Sequence, residues 1–418
     1  MFGLIDGNSF YCSCERAFDP KLRSVPLVVL SNNDGCAIAR TREAKLAGVK
    51  MGDPWHLIKD KPGIKGVVDW RSSNYELYGD MSRRMYQVLA AHFPAVEPYS
   101  IDEMFVDMRG LNDLVGRSHA IRVEVRKAAK IPTCVGIGPT KTIAKLANAL
   151  AKDYHADIGV CDMSTPAQRA KLYRETPLGE VWGMGGQSVK KMAKLGIETV
   201  ADFVAMPSEE VRNNLTVTGM RTQAELRGQP CLQLSFAPPP KKMLAVTRSF
   251  GRTVTDRNEM REAVATYAEI AGRRLRAAGM VAAGMQVFLQ TNPHKPLLPQ
   301  YCPTQTFGIE PTSDTRALIC AATRSMERMW AEGYKFIKAG IVLLDLHRPT
   351  ALPASLFPTR DPDKSDRLMR ALDMLTDRHG RGAVRIASTA PEGAWNMKRQ
   401  RLTPRYTTCA DEMLIAKI

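Results

Sequence analysis

Three carboxylates stand beside two short apolar runs that lie far apart in the chain. Asp6 follows the apolar start of the sequence, and Asp102 and Glu103 precede the run Met104–Val106. Two such strands side by side would bring the three acids to one point, where they repel one another unless a cation lies between them. A single acid at a strand end is more often a solvated turn residue. Oxygen ligands suit Mg²⁺, and two such ions can clamp the attacking and leaving oxygens of a phosphoryl transfer.

The blocks that carry these acids resemble the Y-family translesion DNA polymerases. Further blocks resemble one branch of that family, the UmuC-type catalytic subunit of bacterial DNA polymerase V. The resemblance extends over essentially the whole chain, and it is carried by Ile5–Tyr11, Ser100–Glu103, Leu30–Arg40, Ser72–Tyr78 and Leu402–Thr408.

The resemblance implies an α+β multidomain fold with the arrangement of a right hand. We expect a palm, small fingers, a helical thumb with a helix-hairpin-helix, a little finger and a short C-terminal tail. The expected bounds are 1–20 and 75–165 for the palm, 21–74 for the fingers, 166–232 for the thumb, 243–347 for the little finger and 365–418 for the tail, with linkers at 233–242 and 348–364.

The same resemblance assigns the carboxylates. Asp6, Asp102 and Glu103 would be the catalytic ligands of two Mg²⁺ ions, and the carbonyl of Gly7 would complete the shell of one of them. The substrates would be primer–template DNA and deoxynucleoside triphosphates.

Residues that bind the incoming nucleotide are implied in the same way. Tyr11 would be the aromatic gate that rejects the ribose 2′-hydroxyl, with Phe10 beside it as a packing or substrate-contacting ring. Lys152 would hold the triphosphate as a point charge. Arg42 and Lys45 occupy the finger positions where many relatives carry a Tyr and an Arg, so the charge is retained while the hydroxyl and the bidentate fork are lost.

Contacts with DNA phosphates are expected in two regions. The segment Val181–Lys191 resembles a helix-hairpin-helix, whose glycines let backbone N–H groups approach phosphates at a helix N-terminus; a plain tight turn between helices is the alternative. The opening of the little finger would add basic side chains that hold the backbone without reading bases. The expected contacts are Gly183, Gly185, Lys190, Lys241, Lys242, Arg248 and Arg252.

Charge and cysteine content restrict the class of protein. The chain of 418 residues carries 59 Lys and Arg against 43 Asp and Glu, and residues 241–418 hold 28 of these basic groups against 17 acids. A basic half suits a polyanion such as nucleic acid, although a merely basic surface would look the same. The nine scattered cysteines form no zinc spacing and suit a reducing cytoplasm. No apolar run reaches membrane length.

The elements that must position these residues can be predicted from the hydrophobic pattern. We expect a strand over 1–6, then a short helix from Ser9. Further along, the pattern predicts a strand over Pro26–Leu30, a helix over Ala37–Ala47, a helix over Tyr78–Phe93, a hairpin formed by Val96–Tyr99 and Met104–Asp107, a strand over Thr133–Ile137 and a helix over Lys141–Lys152.

Three functions fit the sequence. The first is error-prone DNA synthesis across damaged template in the SOS response, with a UmuD-type processed dimer and RecA as partners. A sliding clamp would bind weakly, through Leu356 and Phe357 in a linker that lacks the usual glutamine. The second is a catalytically decayed DNA- and protein-binding relative that acts as a repair accessory factor. The third is another palm-type nucleotidyl transfer, such as cyclase chemistry.

Overall fold

The structure, a computed structural model, describes residues 1–153, 158–236, 241–351, 360–380, 382–390 and 393–415. Contacts between residues divide it into two compact units. The first takes the described residues within Met1–Ser31, Gly35–Pro238 and Arg401–Ile418, and the second those within Asn32–Asp34 and Pro239–Gln400. The boundaries expected for the five hand-like domains stay predictions.

The first unit combines β-sheets with helices. Its strands are β1 (Phe2–Gly7), β2 (Leu27–Leu30), β3 (Ala37–Arg40), β4 (Asp69–Ser72), β5 (Val96–Pro98), β6 (Glu103–Asp107), β7 (Thr133–Gly138) and β8 (Val160–Asp162). Its α-helices are α1 (Phe10–Phe18), α2 (Arg42–Leu46), α3 (Trp55–Ile58), α4 (Tyr75–His92), α5 (Leu114–Ala129), α6 (Lys141–Asp153), α7 (Pro166–Glu175), α8 (Gly186–Ala193), α9 (Val200–Ala205) and α10 (Ser208–Leu226), and 3-10 turns lie at Pro20–Leu22, Leu178–Glu180 and Ala410–Glu412.

A five-stranded sheet has the order β5-β6-β1-β7-β8, in which β1 is antiparallel to both of its neighbours. The predicted hairpin is confirmed, since β5 and β6 pair as adjacent antiparallel strands. Side chains alternate between the two faces of each strand. Ile5 and Val106 pack with residues of α4 and α5, whereas Leu4 and Phe105 pack with Ala144 of α6. The sheet is therefore covered by helices on both faces.

A smaller sheet of order β3-β2-β4 follows in the chain. Here the sequence prediction was wrong, because Ala37–Ala47 is not one helix but strand β3 followed by helix α2. The backbone changes at Thr41, whose extended conformation and side-chain hydrogen bond to the Ala44 N–H cap α2. Antiparallel pairing with β2 satisfies the backbone of Ala37–Arg40, which local helix propensity alone did not predict.

The helices α7 to α10 have a core of their own. It includes Leu178, Met192, Phe203 and Leu226. Thr165 and Thr199 begin α7 and α9 with complete capping boxes, each satisfying two backbone groups. The prediction of a helical segment over 166–232 is confirmed for its greater part.

The second unit is built on the four-stranded antiparallel sheet β11-β10-β12-β9. Its elements are β9 (Leu244–Val254), α11 (Arg257–Ala277), β10 (Val281–Thr291), β11 (Thr304–Thr312), α12 (Thr315–Met329), β12 (Phe336–His347) and α13 (Pro362–His379), with 3-10 turns at Asn32–Asp34 and Pro349–Ala351. One core joins this sheet to α11, α12 and Trp395. Leu356 and Phe357, the expected clamp contacts, lie outside the described residues.

Residues 401–415, which we call the strap, return to the first unit. Arg401 and Ser72 exchange backbone and side-chain hydrogen bonds, and the ring of Tyr406 stacks on Phe18 with centroids 4.8 Å apart. The side-chain amide of Asn74 donates to the carbonyl of Thr403 at 3.0 Å. The strap therefore packs against α1, the end of β4 and the start of α4.

Candidate active site

Strand register brings the acids at the two strand ends together. Asp6, near the end of β1, is the direct partner of Glu103, which opens β6. The Gly7 N–H donates to the Asp102 carbonyl at 2.9 Å, so the turn before β6 is tied to the end of β1. The sequence-based expectation that these strands lie side by side is confirmed.

Both partnered carboxylates face α6, because Asp6 is two residues from Leu4 and Glu103 is two residues from Phe105, so each lies on the same strand face as a residue that packs on α6. Lys152 Nζ lies 2.5 Å from Asp6 Oδ2. About two turns earlier on the same helix, Lys145 Nζ lies 2.6 and 2.8 Å from the two oxygens of Glu103. The predicted triphosphate lysine therefore stands at the carboxylates, with its side chain 39% exposed.

Burial controls the charge of Asp6. Removal from water raises the pKa of Asp6 to about 7; Lys152 opposes this, and the charges of Asp102 and Glu103 add to it. Burial by itself lowers the pKa of the Lys152 ammonium, but the carboxylates of Asp6 and Glu103 raise it more, so that it lies above its ordinary value. The electrostatics thus favour a further cation beside these acids.

The donors at this point fit a hard cation such as Mg²⁺, since three carboxylates and nearby carbonyls supply only oxygen. Asp102 Oδ1 accepts a hydrogen bond from Ser100 Oγ at 2.6 Å, while Asp6 and Glu103 are turned to lysines. Accordingly, no three acidic, histidine or cysteine side chains in the described part of the chain converge closely enough to ligate an ion as they stand. Binding would require the carboxylates to turn from these partners.

Glycine at position 7 has a packing reason. A Cβ there would lie 2.8 Å from the ring of Phe10, which is itself only 3% exposed. Phe10 belongs to the core beneath the sheet, so its position favours a packing role over contact with the substrate.

Lys145 was missed by sequence reasoning. Its ammonium also lies over the rings of Tyr99 and Trp182, 4.6 and 5.8 Å from their centroids. A signal was available, because Lys141, Lys145 and Lys152 recur at helical spacing along one face of α6. Lys141 is paired with the buried Glu97.

Tyr11 lies in an aromatic group beside the acids. Its ring stacks on Tyr78 with centroids 4.7 Å apart and an interplanar angle of 22°, and the edge of Tyr75 approaches at 5.7 Å. Ser9, with φ of 45°, turns the chain sharply from β1 into α1 and so sets the direction of this ring. Burial raises the pKa of Tyr11 to about 12, with Tyr75 and Asp102 contributing. The candidate sugar gate is therefore half-buried and close to the carboxylates.

Arg42 and Lys45 are exposed on α2. Their exposure does not test whether they bind the triphosphate, so that role stays a prediction.

In the thumb-like helices, Gly183 has φ of 87° and open space around it, which suits a turn that only glycine adopts readily. Gly185 is the N-cap of α8, and no side chain caps this helix end. The first backbone N–H groups of α8 therefore have no partner from a capping side chain. Lys190 is exposed on the same helix. These features suit a phosphate contact, which stays a prediction.

The basic residues expected to open the little finger separate into two groups. Lys241 and Lys242 are exposed, and Arg252, also exposed, is paired with Glu259. Arg248 shares a strand face with Val246 and Phe250, the face covered by α11, and lines a cavity of about 860 Å³ within the second unit. That position does not favour a phosphate role for Arg248.

Comparison with known proteins agrees with this architecture. Residues 5–149 match the family model described as impB/mucB/samB family, and residues 241–356 match its C-terminal domain. Residues 366–416 match a domain of unknown function. Within the described residues, no helix has the length and apolar character that crossing a membrane requires.

Individual relatives cover the whole chain. The chain is 40% identical to Protein ImpB of Salmonella typhimurium over 427 residues and 40% identical to Protein UmuC of the same species over 423 residues, with all of each protein covered. A solved Y-family DNA polymerase, the chimera Dbh-Dpo4(243-245)-Dbh, superimposes with a TM-score of 0.64 at 18% identity, covering 83% of this chain and 99% of the other.

The fold likeness confirms the predicted α+β, right-hand polymerase architecture. The 40% identity to ImpB and UmuC over their full lengths shows that the chain shares their family as well as the polymerase fold. The chain therefore belongs to the impB/mucB/samB family, the UmuC-type branch of the Y-family translesion DNA polymerases, and is an enzyme of the DNA-directed DNA polymerase class.

Proposed function

We propose that this chain carries out error-prone, template-directed DNA synthesis across damaged template in the SOS response, by a two-metal nucleotidyl transfer. The observation that carries the proposal is the register of β1 and β6, which sets Asp6 opposite Glu103 with a lysine from α6 on each carboxylate. Family membership supports the reaction class, and this geometry supports the proposed assignment of the catalytic residues.

Asp6, Asp102 and Glu103 hold the metal ions in this proposal, with the Gly7 carbonyl as a further oxygen. Bound Mg²⁺ would activate the primer 3′-hydroxyl and neutralise charge on the phosphates. Lys152, which is paired with Asp6 in the structure, would exchange that partner for the triphosphate of the incoming nucleotide. Arg42 and Lys45 add cationic charge from the fingers, where a lysine acts as a point charge without a bidentate fork.

Sugar selection falls to Tyr11. Its ring is held between aromatic neighbours beside the acids, where a rigid wall can exclude a 2′-hydroxyl without taking part in the chemistry. In this proposal Ile38 and Ala39 cover the nascent base pair, and the small side chain of Ala39 suits an open pocket there. Low fidelity and tolerance of lesions follow from that openness.

The proposed partners come from the family. Protein UmuC is among the relatives that align over their full length, and we propose that this chain likewise acts with a UmuD-type processed dimer and with RecA on DNA in the cytoplasm. Exposed Lys241 and Lys242, together with Gly183, Gly185 and Lys190, are the proposed contacts to the DNA backbone.

Two other functions make different experimental predictions. A decayed accessory factor would bind primer–template DNA without extending it, and a cyclase-type enzyme would convert nucleotides without a template. The chain is therefore assayed for primer extension on intact and lesion-containing templates, with Mg²⁺ and with excess chelator, and with UmuD-type partner and RecA supplied. Template-dependent, Mg²⁺-dependent extension past the lesion supports the proposal. Binding without extension under every condition would overturn it in favour of the accessory role.

A further inference from the structure

Two sequence blocks with no place in the chemistry above contact each other in the first unit. The block Ser72–Tyr78 begins α4, and the block Leu402–Thr408 lies in the strap. Asn74 caps α4 by accepting from the Leu77 N–H, and its amide nitrogen donates to the carbonyl of Thr403, to the Thr403 hydroxyl and to the carbonyl of Pro404. The strap is thus fixed to the first turn of the helix that carries Tyr75 and Tyr78.

A second contact passes through a buried acid. Glu15 of α1 is 1% exposed, and its Oε1 accepts from the Tyr78 hydroxyl at 2.6 Å and from the Thr403 hydroxyl at 3.2 Å. Among the described residues, its other oxygen has no hydrogen-bond partner. A buried carboxyl group is costly unless it is hydrogen-bonded. The hydroxyls of Tyr78 and Thr403 supply these hydrogen bonds and so fix the position of the Glu15 side chain.

These contacts end at the candidate sugar gate. Tyr78 is fully buried, and its ring is the one stacked on Tyr11. Tyr75, which follows the strap-bound Asn74, supplies the edge contact to Tyr11. The ring of Phe10 also contacts Tyr11, with centroids 5.9 Å apart. The other two rings that contact Tyr11 both come from the turn of α4 that the strap holds, and aromatic pairs of this kind have defined geometry.

We propose that Thr403 and Tyr78 are positioning residues for sugar selection: the strap, through Glu15 and Tyr78, holds the ring of Tyr11 against the incoming sugar. This inference rests on the proposed function, because it takes Tyr11 as the sugar gate. It assigns to the C-terminal strap a part in nucleotide specificity.

The test uses the full-length chain and measures kcat/KM for a deoxynucleotide and for the matching ribonucleotide. Thr403→Val removes the hydroxyl while keeping the shape of the side chain, and Tyr78→Phe removes the hydroxyl while keeping the stacked ring. Each variant should lower the ratio of deoxy- to ribonucleotide use about three- to tenfold, the scale of one lost hydrogen bond. Thr403→Ser keeps the hydroxyl that donates to Glu15 and should therefore keep the parental ratio.

The strap offers a matched control. The Thr407 hydroxyl is buried and has no hydrogen-bond partner among the described residues, so Thr407→Val makes the same chemical change without breaking the contact to Glu15. It should leave the ratio unchanged. In a Tyr11→Ala background, Thr403→Val should have no further effect on the ratio, because the ring it positions is gone.

The outcomes separate the two proposals. If Tyr11→Ala admits ribonucleotides while Thr403→Val and Tyr78→Phe both keep the parental ratio, the positioning role is wrong and the sugar gate stands. If active Tyr11→Ala still excludes ribonucleotides as the parent does, the gate assignment fails and the positioning role fails with it. A Thr407→Val effect equal to that of Thr403→Val would also overturn the inference.

Discussion

Asp6 and Glu103 face each other across two antiparallel strands, and each is held by a lysine from the same helix. Strand register fixes where the acids meet, and helical spacing fixes where the cations reach them. The carboxylates are turned to these lysines and do not converge on one point as they stand, so binding a divalent cation would require them to leave these partners. Catalysis as proposed therefore begins with an exchange of partners at these two carboxylates.

Removal of any one acid should abolish synthesis. Asp6→Ala, Asp102→Ala or Glu103→Ala should each lower the rate of primer extension by more than about a thousandfold, the scale of lost transition-state stabilisation. Binding to primer–template DNA, measured by fluorescence anisotropy, should change little. Asp60→Ala, which alters an exposed acid elsewhere in the first unit, serves as the control. Near-normal extension by Asp102→Ala would contradict the metal assignment.

Lys152→Met should weaken use of the nucleotide, because it keeps the length of the side chain and removes its charge. We expect KM for deoxynucleotides to rise about tenfold or more, which corresponds to at least about 1.4 kcal/mol of lost interaction. Steady-state single-nucleotide insertion measures this. Lys127→Met, at an exposed lysine of α5, should leave KM unchanged. An unchanged KM in Lys152→Met would limit Lys152 to pairing with Asp6.

Tyr11→Ala should admit ribonucleotides, because the change removes a wall and no catalytic group. The insertion of a ribonucleotide relative to the matching deoxynucleotide should rise by about a hundredfold or more if the wall contributes roughly 3 kcal/mol to discrimination. Extension with ribonucleotides alone checks it. Continued exclusion of ribonucleotides by an active variant would make Tyr11 a core residue.

Stability should fall with rising pH because of Glu15. Burial raises the pKa of Glu15 from 4.5 to about 7, although Tyr78, Thr403 and Arg71 lower it in part and Asp19 adds to the rise. Between these values the unfolded chain loses the proton while the folded chain keeps it, so folding becomes less favourable by up to about 3 kcal/mol.

The variant Glu15→Gln cannot ionise at this position. It should match the parent near pH 4.5 and unfold at a higher temperature than the parent at pH 7, as measured by thermal unfolding across that range. Glu175→Gln, at an exposed acid, should retain the parental slope. Parallel pH profiles for the parent and Glu15→Gln would show that Glu15 keeps its charge when folded.

Weak binding to a sliding clamp should depend on Leu356 and Phe357. Burial of these two side chains in a clamp pocket would contribute roughly 1.5–3 kcal/mol each, without a glutamine to anchor the peptide. A pull-down with the cognate clamp should retain the parent and lose the Leu356→Ala/Phe357→Ala variant. Equal retention of both would exclude this peptide as the contact.

Local pattern was sufficient for much of the palm. The alternation around Asp6 and Glu103 predicted adjacent strands, and the apolar spacing over Lys141–Lys152 predicted α6. The same kind of reasoning failed over Ala37–Ala47, where pairing with β2 decided the conformation of the first four residues. Propensity yields to tertiary pairing where a short segment can form either element.

Contacts that join distant parts of the chain left no local signal. Nothing near Glu15 or Asn74 in the sequence indicates that Thr403 is their partner, since these contacts span 388 and 329 residues. Likewise, alternation places Arg248 with Val246, but the assignment of that face to α11 needed the folded sheet. Lys145 differs from these residues, because its helical spacing from Lys152 can be read from the sequence. Only its pairing with Glu103 needed the folded structure.

The strap has a consequence for the order in which the protein folds as it is made. Residues 401–415 leave the ribosome only after the whole of 239–400, yet they supply the partners of Glu15, Ser72 and Asn74 in the first unit. Domains usually fold in the order of their synthesis. Here the first unit cannot finish its packing until the second has been translated, so a nascent chain interrupted before residue 401 leaves Glu15, Ser72 and Asn74 without these partners.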